Sequence, residues 1–401
     1  MAGPLDGIRV VEITMFQQGP VAGMLLGDLG ADVIKVEPKT GDPARGMMKI
    51  IGVMTGLKGR NYYFENNNRN KRSIALDLRK RSELEVFFKL IDRADVFLNN
   101  LSIGAPYRMG INYEVLSARN PRLIYAQASG WGRKGPNAEE LSFDRTGLAR
   151  TGLMMLCGER GNPPQPITPG LGDELGGMTC AWAVCTALYA RERTGKGQLV
   201  DTSLMGSLMA MEALALAAPA ILGQEFPREI RAEAGNPLEN FYRCRDDKWI
   251  VIHHLQPDRY WPNVCKALGI SELENDPRFN SIEARGKNAK ELIAILDKRF
   301  ATKTRDEWIE IFKQAGVIYA PIQTATEVVN DPQAEANEYI TWFDHPVWGK
   351  TKMIGFPWTF HETPASVRRE APEFGQHTEE ILLELGYTWD DIAKLKEEEA
   401  I

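Results

Sequence analysis

The sequence predicts an α/β fold, with a large, doubly wound and mostly parallel (Rossmann-like) domain and a smaller α+β domain. Short β-branched segments alternate with helical segments over roughly the first 200 residues, which is typical of a parallel sheet covered by helices. The chain has 401 residues. Because one hydrophobic core usually serves no more than about 250–300 residues, we expect two domains.

The start of the chain predicts one βαβ unit. Residues 8–14 favour a buried strand, residues 20–29 a helix, and residues 32–37 the next strand. Two parallel strands require a crossover of about this length. The alternation continues, which predicts further strands at 73–78, 95–100, 122–130 and 198–204, and helices at 82–92, 112–119, 144–152 and 173–193.

A change in composition near residue 224 predicts the start of the smaller domain. We expect a β-hairpin over 238–253, with its turn at 246–248. Helices follow near 257–268, 286–300 and 304–315. The final 70 residues return to short strands and finish with a helix near 377–386.

One apolar run, residues 204–222, is nearly long enough to cross a membrane, and its one charge is Glu212. Pro219 and that charge interrupt the run, and no aromatic belt flanks it. It therefore predicts a buried core or interface helix and no membrane contact. The first residues show no charged segment followed by an apolar one, so we expect a cytoplasmic protein without a signal peptide.

The composition disfavours several classes of function. Apolar residues make up 43% of the chain and charged residues 25%, which is usual for a folded, soluble protein. A net charge of −6 argues against a nucleic-acid partner. The five cysteines lack CxxC spacing, and all five histidines lie at or after His253. We therefore expect neither a disulfide framework nor a metal site, and a reducing compartment.

The turn from Thr14 to Pro20 is the first candidate site, because ligands of doubly wound sheets bind beyond the carboxyl ends of the strands. Glu37 ends the second strand as a ribose-binding acid would, yet no GxGxxG accompanies it, which disfavours a dinucleotide. Residues 66–72, together with Arg108, are rich in basic side chains. They could hold phosphate groups or form a solvated turn.

Asp173, in the segment GLGDELGG, is the second candidate. It suits a helix N-cap, and it also suits a carboxylate nucleophile, which needs no partner base at neutral pH. A helix N-terminus would hold the carboxylate ionised, and nearby N–H groups could stabilise an oxyanion. Gly176 and Gly177 leave room for a bulky substrate. The absence of GxSxG gives no support to a serine hydrolase.

The chain resembles the class III CoA-transferases, the family that includes formyl-CoA transferase and carnitine CoA-transferase. The likeness runs almost end to end. It is carried by ordered pieces, namely PLDGIRVVEIT, GADVIKVEP, NKRSIALDL, GDELGGM, RERTGKGQLVDTSL, DPRF, RDEW and GQHTEEILLELGY.

The resemblance implies an interlocked homodimer, or a heteromer with a related chain. It implies a large CoA-binding catalytic domain made of residues 1–224 together with 331–401, and a small domain of residues 225–330. It also implies that an acyl-CoA and a free carboxylic acid are the substrates. The CoA thioester is then a substrate, and neither a permanently bound cofactor nor a metal is expected.

Individual roles follow from the matched motifs. Asp173 matches the catalytic aspartate, and Gln17 matches a residue near the reacting carbonyl. The expected CoA contacts are Lys71, Asn100, Leu101 (where the family usually has an aromatic residue), Arg108 and Met109, with Lys39 and Lys134 for the CoA phosphates.

Two departures bear on the substrate and the reaction. Gly235-Asn-Pro stands where formyl-CoA transferase has a glycine-rich loop, so an oxalate-like acid is not favoured. Relatives that racemise 2-methylacyl-CoA esters have a histidine before Asp144 to move the α-proton. This chain has Phe143, and a phenyl ring cannot take a proton.

We therefore expect reversible CoA transfer through aspartyl intermediates. The alternatives are a racemase or epimerase of the same fold, and a non-catalytic subunit of a hetero-oligomeric transferase. Methionines at 47–48, 154–155 and 205–211 could line an apolar pocket or simply pack the core. Arg133 would suit a second carboxylate. These features point to an aromatic or substituted dicarboxylic acid, with succinyl-CoA as a candidate donor.

Overall fold

The computed structural model describes residues 3–46, 60–225 and 227–397, with the backbone of residues 56–57. Met47 and Met48 lie outside the described residues. The chain divides into two compact units. The larger unit comprises the described residues up to Met154, Pro166–Gln224 and those from Gln333 onward, and the smaller unit comprises Met155–Gln165 and Glu225–Pro332.

The smaller unit includes a segment, residues 155–165, that the sequence analysis placed in the large domain. Hydrogen bonds explain the grouping. The Arg231 N–H donates to the Glu159 carboxylate at 3.0 Å, and the Arg228 guanidinium donates to the Cys157 carbonyl at 3.3 Å. The residues that make these contacts lie far apart along the chain, so the local composition did not indicate the contacts.

The strands in chain order are β1 Arg9–Ile13, β2 Asp32–Glu37, β3 Gly56–Leu57, β4 Arg60–Asn61, β5 Lys71–Ala75, β6 Val96–Asn99, β7 Ile124–Ser129, β8 Gln198–Ser203, β9 Glu239–Arg243, β10 Trp249–His253, β11 Tyr319–Ile322, β12 Ile340–His345 and β13 Gly349–Ile354.

The α-helices are α1 Gln18–Asp28, α2 Tyr62–Asn68, α3 Arg81–Asp92, α4 Ala105–Met109, α5 Tyr113–Arg119, α6 Asp144–Arg150, α7 Leu153–Leu156, α8 Leu171–Thr194, α9 Leu204–Met211, α10 Ala213–Leu222, α11 Pro257–Leu268, α12 Ile282–Lys287, α13 Ala289–Phe300, α14 Arg305–Ala315, α15 Ala325–Val328, α16 Pro332–Ala336, α17 Thr378–Glu384 and α18 Trp389–Glu397.

A six-stranded parallel sheet organises the larger unit, in the order β5-β2-β1-β6-β7-β8. Val10 and Val11 on β1 are fully buried on opposite faces of the sheet, one in each of two hydrophobic clusters. The chain order reverses between β1 and β6. In doubly wound sheets, ligands bind at the carboxyl ends of the strands that flank this reversal. The parallel α/β architecture expected from the sequence is confirmed.

The smaller unit has a three-stranded antiparallel sheet, β11-β10-β9, packed against helices. Its core is aromatic: Tyr242 stacks on Phe300 with ring centroids 4.5 Å apart, and Trp308 stacks on Phe312 at 5.6 Å. The hairpin expected over 238–253 corresponds to β9 and β10.

The apolar run over 204–222 differs from its prediction as one helix. It forms α9 and α10, bent by 82° at Glu212. Among the described residues, no single helix is long and apolar enough to cross a membrane; this bent pair meets the criterion only when its two helices are taken together. In this chain α10 buries none of its residues, so it is not the core helix that was one of the two expectations. Burial at an interface stays a prediction. The expected cytoplasmic location stays a prediction.

Four buried charges connect β1, β2, β5 and the segment after β2. The Lys71 ammonium lies 2.9 Å from the Glu12 carboxylate, and the Lys35 ammonium lies 2.9 Å from Asp42 and 3.6 Å from Glu12. These four side chains are at most 1% exposed. Helix α1 passes so close that a Cβ at Gly23 would lie 1.8 Å from a Glu12 oxygen. Glycine is therefore required at this crossing.

Replacement of Lys71 by methionine should destabilise the fold by roughly 3–5 kcal/mol, because it leaves the buried Glu12 carboxylate without its closest ion-pair partner. Urea unfolding measures the change. The matched control is Lys134→Met at an exposed lysine, for which we expect a change within about 0.5 kcal/mol. An unchanged free energy of unfolding for Lys71→Met, with weaker CoA binding, would contradict this structural role.

Candidate active site

The segment after β1 is held by the segment after β6, at the reversal point of the sheet. The Met15 N–H donates to Oδ1 of Asn100 at 2.9 Å, and Nδ2 of Asn100 donates to the Met15 carbonyl at 2.8 Å. Both hydrogen-bonding groups of the Asn100 amide are thus used by one backbone residue. Asn100 therefore fixes the position of the loop that leads to Gln17.

Two of the buried charged residues, Lys35 and Asp42, also form hydrogen bonds with this loop. Lys35 Nζ donates to the Thr14 carbonyl at 2.7 Å, and Oδ1 of Asp42 accepts from the Phe16 N–H at 3.2 Å. Phe16 has a φ of +63°, a left-handed conformation that is strained for a residue with a side chain. The surrounding hydrogen bonds hold Phe16 in this conformation, which places Gln17 at the start of α1.

Asp173 is the third residue of α8, and not its N-cap as one reading of the sequence had it. The N-cap is Gly170, with a φ of +82°, and the helix begins at Leu171. The end of the helix is instead capped from a distance by Asp144. Its carboxylate accepts from the N–H groups of Gly172 at 2.7 Å, Gly170 at 3.0 Å and Asp173 at 3.3 Å.

The environment of Asp173 opposes ionisation. Burial, followed by the charges of Asp144 and Glu174, raises the pKa of Asp173 to about 7. The expectation that the helix N-terminus holds this carboxylate ionised is wrong, because the Asp144 carboxylate occupies the free N–H groups there. A pKa near neutrality leaves a sizeable ionised fraction while making the carboxylate a stronger base, which suits a catalytic group.

Gln17 reaches the same helix end. Its Nε2 donates to Glu174 Oε1 at 3.0 Å and to the Gly170 carbonyl at 3.5 Å. Glu174 and the capping role of Asp144 were not predicted from the sequence. The Asp-Glu pair in GDELGG was a visible signal for Glu174, but nothing in the local sequence indicated that Asp144 would cap a helix that begins 27 residues later, at Leu171.

A cavity of about 170 Å³ brings four of the expected site residues together: Gln17, Asn100, Leu101 and Asp173. The ring of Phe143 lies at this cavity and packs edge-on against Phe16, with centroids 5.7 Å apart. None of the five histidines of the chain lines the cavity.

A second cavity, of about 660 Å³, is also lined by Leu101 and brings in three further expected residues: Lys39, Arg108 and Met109. Arg79, which the sequence analysis did not single out, lines it too, and its side chain is 90% exposed. Met15 and Leu101 line both cavities, so the two adjoin. An elongated ligand with an anionic end could therefore place the anion near these cations and its other end at Asp173.

Two expected CoA contacts do not lie in either cavity. Lys71 is fully buried and binds Glu12, the Pro20 carbonyl and Asn68, so its ammonium is withheld from a ligand phosphate; its assignment as a CoA contact is corrected. Lys134 is exposed on the loop after β7 and lines neither cavity.

Arg133, suggested for a second carboxylate, is engaged elsewhere. Its guanidinium donates to the Gln127 side chain and to the Tyr107 hydroxyl, the latter at 3.1 Å, and it does not line the cavity at Asp173. Within the described part of the chain, no cluster of three or more His, Cys, Asp or Glu side chains could hold a metal ion.

The model of the family "CoA-transferase family III" matches residues 5–378. The chain is 33% identical to cinnamoyl-CoA:phenyllactate CoA-transferase of Clostridium sporogenes, over 99% of this chain and 97% of that protein. It is 34% identical to succinyl-CoA–D-citramalate CoA-transferase of Chloroflexus aurantiacus, over 99% and 98% of the two chains.

Among solved structures, the chain is similar to a CAIB/BAIF family protein from Brucella suis. The two are 32% identical with a TM-score of 0.85, and the match covers 96% of this chain and 100% of the other. The likeness therefore extends over essentially the whole chain.

Replacement of Asp144 by asparagine should lower the pKa of Asp173. Any activity that needs the Asp173 carboxylate ionised rises with pH through its raised pKa of about 7. Removal of the neighbouring negative charge should move the acid limb to lower pH by roughly one pH unit. The measurement is the pH–rate profile of the catalysed reaction, or titration of Asp173 by NMR.

The matched control is Asp201→Asn, which removes an exposed carboxylate that lines neither cavity and so should leave the acid limb in place. If both variants gave the wild-type acid limb, the electrostatic coupling of Asp144 to Asp173 would be disproved.

Proposed function

The chain belongs to CoA-transferase family III, and from that premise we propose that it moves CoA reversibly from an acyl-CoA to a free carboxylic acid through covalent intermediates on Asp173. One observation carries the proposal. Asp173 lies in a cavity that adjoins a larger one lined by Lys39, Arg79 and Arg108, so one molecule could reach both the carboxylate and the cations.

The first half-reaction begins when an ionised oxygen of Asp173 attacks the thioester carbonyl of the donor. The C–S bond breaks, which gives a mixed anhydride and the CoA thiolate. The thiolate then attacks the aspartyl carbonyl carbon and forms an aspartyl-CoA thioester, and the donor acid leaves as a carboxylate. Asp173 needs no partner base in these steps, because it reacts as the carboxylate.

The second half-reaction is the reverse with a different acid. The acceptor carboxylate attacks the aspartyl thioester and gives a second mixed anhydride and CoA thiolate. The thiolate attacks the acceptor carbonyl, which releases the new acyl-CoA and restores the Asp173 carboxylate. The position of Gln17 at the same cavity supports a role in orienting the reacting carbonyl, with its amide shared between Glu174 and the substrate.

The larger cavity suits the nucleotide end of CoA. Lys39 and Arg108 are exposed cations that can bind phosphate oxygens. Arg79 lies beside them, where its exposed guanidinium is paired with Asp77 at 2.8 Å. Met15 and Leu101, which line both cavities, would contact the pantetheine arm between the phosphates and the thioester. Leu101 provides an apolar surface there, although it cannot stack on an adenine as an aromatic residue would.

We also propose that the chain assembles as an interlocked dimer or with a related chain. The support is an apolar surface on α10, where Leu214 is 82% and Ile221 79% exposed. Surfaces of this kind mark protein contacts more often than they face water. The division into a large catalytic domain and a small domain belongs to the same proposal, with residues 155–165 assigned to the small domain.

Capture of the activated carboxyl tests the function. Incubation with an acyl-CoA followed by hydroxylamine should give a hydroxamate at Asp173, detected by peptide mass spectrometry. Asp173→Asn should lose the adduct and at least about 10³-fold of the transfer rate, since it removes the nucleophile. Asp201→Asn, at an exposed carboxylate that lines neither cavity, is the matched control and should keep both.

Two outcomes would contradict the proposal and support one of the alternative functions. No adduct with any acyl-CoA, together with uptake of solvent deuterium at the α-carbon of a 2-substituted acyl-CoA, would establish the racemase. No adduct and no exchange, with both restored by a related chain, would establish a subunit that depends on its partner.

A further inference from the structure

We infer that Glu174 is a positioning residue for the reaction: it fixes the orientation of the Gln17 amide, so that an N–H group and not the amide oxygen is offered to the reacting carbonyl. This inference rests on the proposed function, because it concerns the group that assists the attack by Asp173. Glu174 follows Asp173 directly in α8, so one helix places both the nucleophile and the positioning residue.

The amide of Gln17 faces two hydrogen-bond acceptors on α8 and its N-cap. Its Nε2 donates to Glu174 Oε1 at 3.0 Å and to the Gly170 carbonyl at 3.5 Å. A carboxylate and a carbonyl accept hydrogen bonds, and the amide oxygen of Gln17 cannot donate one. If the amide were turned over, its oxygen would face both acceptors and both bonds would be lost. The two acceptors therefore hold the NH2 group of Gln17 toward the helix end that carries Asp173.

Gly170 lets the Gln17 amide approach the helix, but its carbonyl is the weaker of the two partners. A Cβ at Gly170 would lie 2.5 Å from Nε2 of Gln17, so the amide packs directly against the backbone. The Gly170 carbonyl already accepts the helical hydrogen bond from the Glu174 N–H at 2.8 Å. Its 3.5 Å contact with Gln17 is longer than the usual N–H···O distance of about 2.7–3.2 Å. The bond to Glu174 is therefore the one that fixes the amide.

The two N–H groups of the Gln17 amide differ in availability as a result. One is bound by the Glu174 carboxylate, and the other has at most the long contact with Gly170. The second N–H can exchange that contact for the oxygen of the thioester carbonyl, which becomes negative when Asp173 attacks. A preorganised N–H donor stabilises such an oxyanion, whereas an amide oxygen in the same place would repel it. The orientation set by Glu174 therefore affects the rate of acylation.

The charge of Glu174, taken alone, has the opposite effect. Burial and the charge of Asp144, followed by the charge of Glu174, raise the pKa of Asp173 to about 7. Removal of the Glu174 charge should therefore ease the ionisation of Asp173 and should not by itself slow acylation at neutral pH. A slower reaction without Glu174 would thus point to its hydrogen bond with Gln17.

The variant Glu174→Ala tests this role through the rate of Asp173 acylation, measured by hydroxylamine capture at saturating acyl-CoA. The rates are compared on the plateau above the Asp173 pKa of about 7, where Asp173 is ionised in every variant. We expect a loss of about 10- to 100-fold, as for a misplaced group at a reacting centre. The affinity for CoA, measured by calorimetry, should change by less than about threefold, because the bond acts on the chemical step.

Two further variants serve as controls. Glu174→Gln keeps a hydrogen-bond acceptor without the charge, so it should recover most of the rate that Glu174→Ala loses. Glu192→Ala changes an exposed glutamate of the same helix and should keep the wild-type rate.

A double-mutant cycle with Gln17→Ala distinguishes positioning from a structural role. Because Glu174 acts through Gln17, Glu174→Ala should slow acylation by less than about threefold when residue 17 is already alanine. A residue that affects only the fold would slow it by the same factor in both backgrounds. If Glu174→Ala does not fold, Glu174→Leu, which refills the space without an acceptor, takes its place in the cycle.

The outcomes separate the two proposals. A wild-type rate in Glu174→Ala, an equal loss in Glu174→Gln, or equal losses in both Gln17 backgrounds would overturn the positioning role and leave the aspartyl mechanism in place. No Asp173 adduct in the wild-type protein with any acyl-CoA would overturn the mechanism, and the positioning role with it.

Discussion

The buried ion network of Glu12, Lys35, Asp42 and Lys71 is the constraint on which the site depends. It lies beneath the carboxyl end of β1, where Lys35 binds the Thr14 carbonyl and Asp42 binds the Phe16 N–H. Buried charges are costly unless each finds a partner, so the network permits few alternative arrangements. It therefore fixes the strained turn at Phe16. Gln17 follows this turn and faces the N-terminus of α8 as a consequence.

Two carboxylates, Asp144 and Asp173, lie at the helix N-terminus next to Gln17, and their surroundings differ. Asp144, from a different helix, takes the N–H groups that would otherwise stabilise Asp173 as an anion. Burial and two neighbouring carboxylates then raise the pKa of Asp173. Asp144 thus caps the helix, while the Asp173 carboxylate is left without these hydrogen bonds.

Much of this architecture was predictable, because it depends on local patterns. Strand β2 has its predicted bounds of Asp32–Glu37, and α11 its predicted bounds of 257–268. The errors came from distant contacts. Lys71 reads as a basic residue before a strand, yet Glu12, 59 positions away, holds it in the core. Asp173 reads as an N-cap because the capping carboxylate, Asp144, lies far back in the chain. The bend at Glu212 was likewise not predicted, because the apolar run continues on both sides of it.

Transfer of oxygen-18 from the acceptor acid tests most directly whether Asp173 carries the reaction. In the mechanism above, the acceptor carboxylate contributes the bridging oxygen of the second anhydride, and that oxygen stays on Asp173 when the thiolate takes the acyl carbon. One turnover with a fully labelled acceptor should therefore leave one oxygen-18 atom in the peptide that contains Asp173. Label that passes directly from acceptor acid to released donor acid, with none in that peptide, would contradict the account.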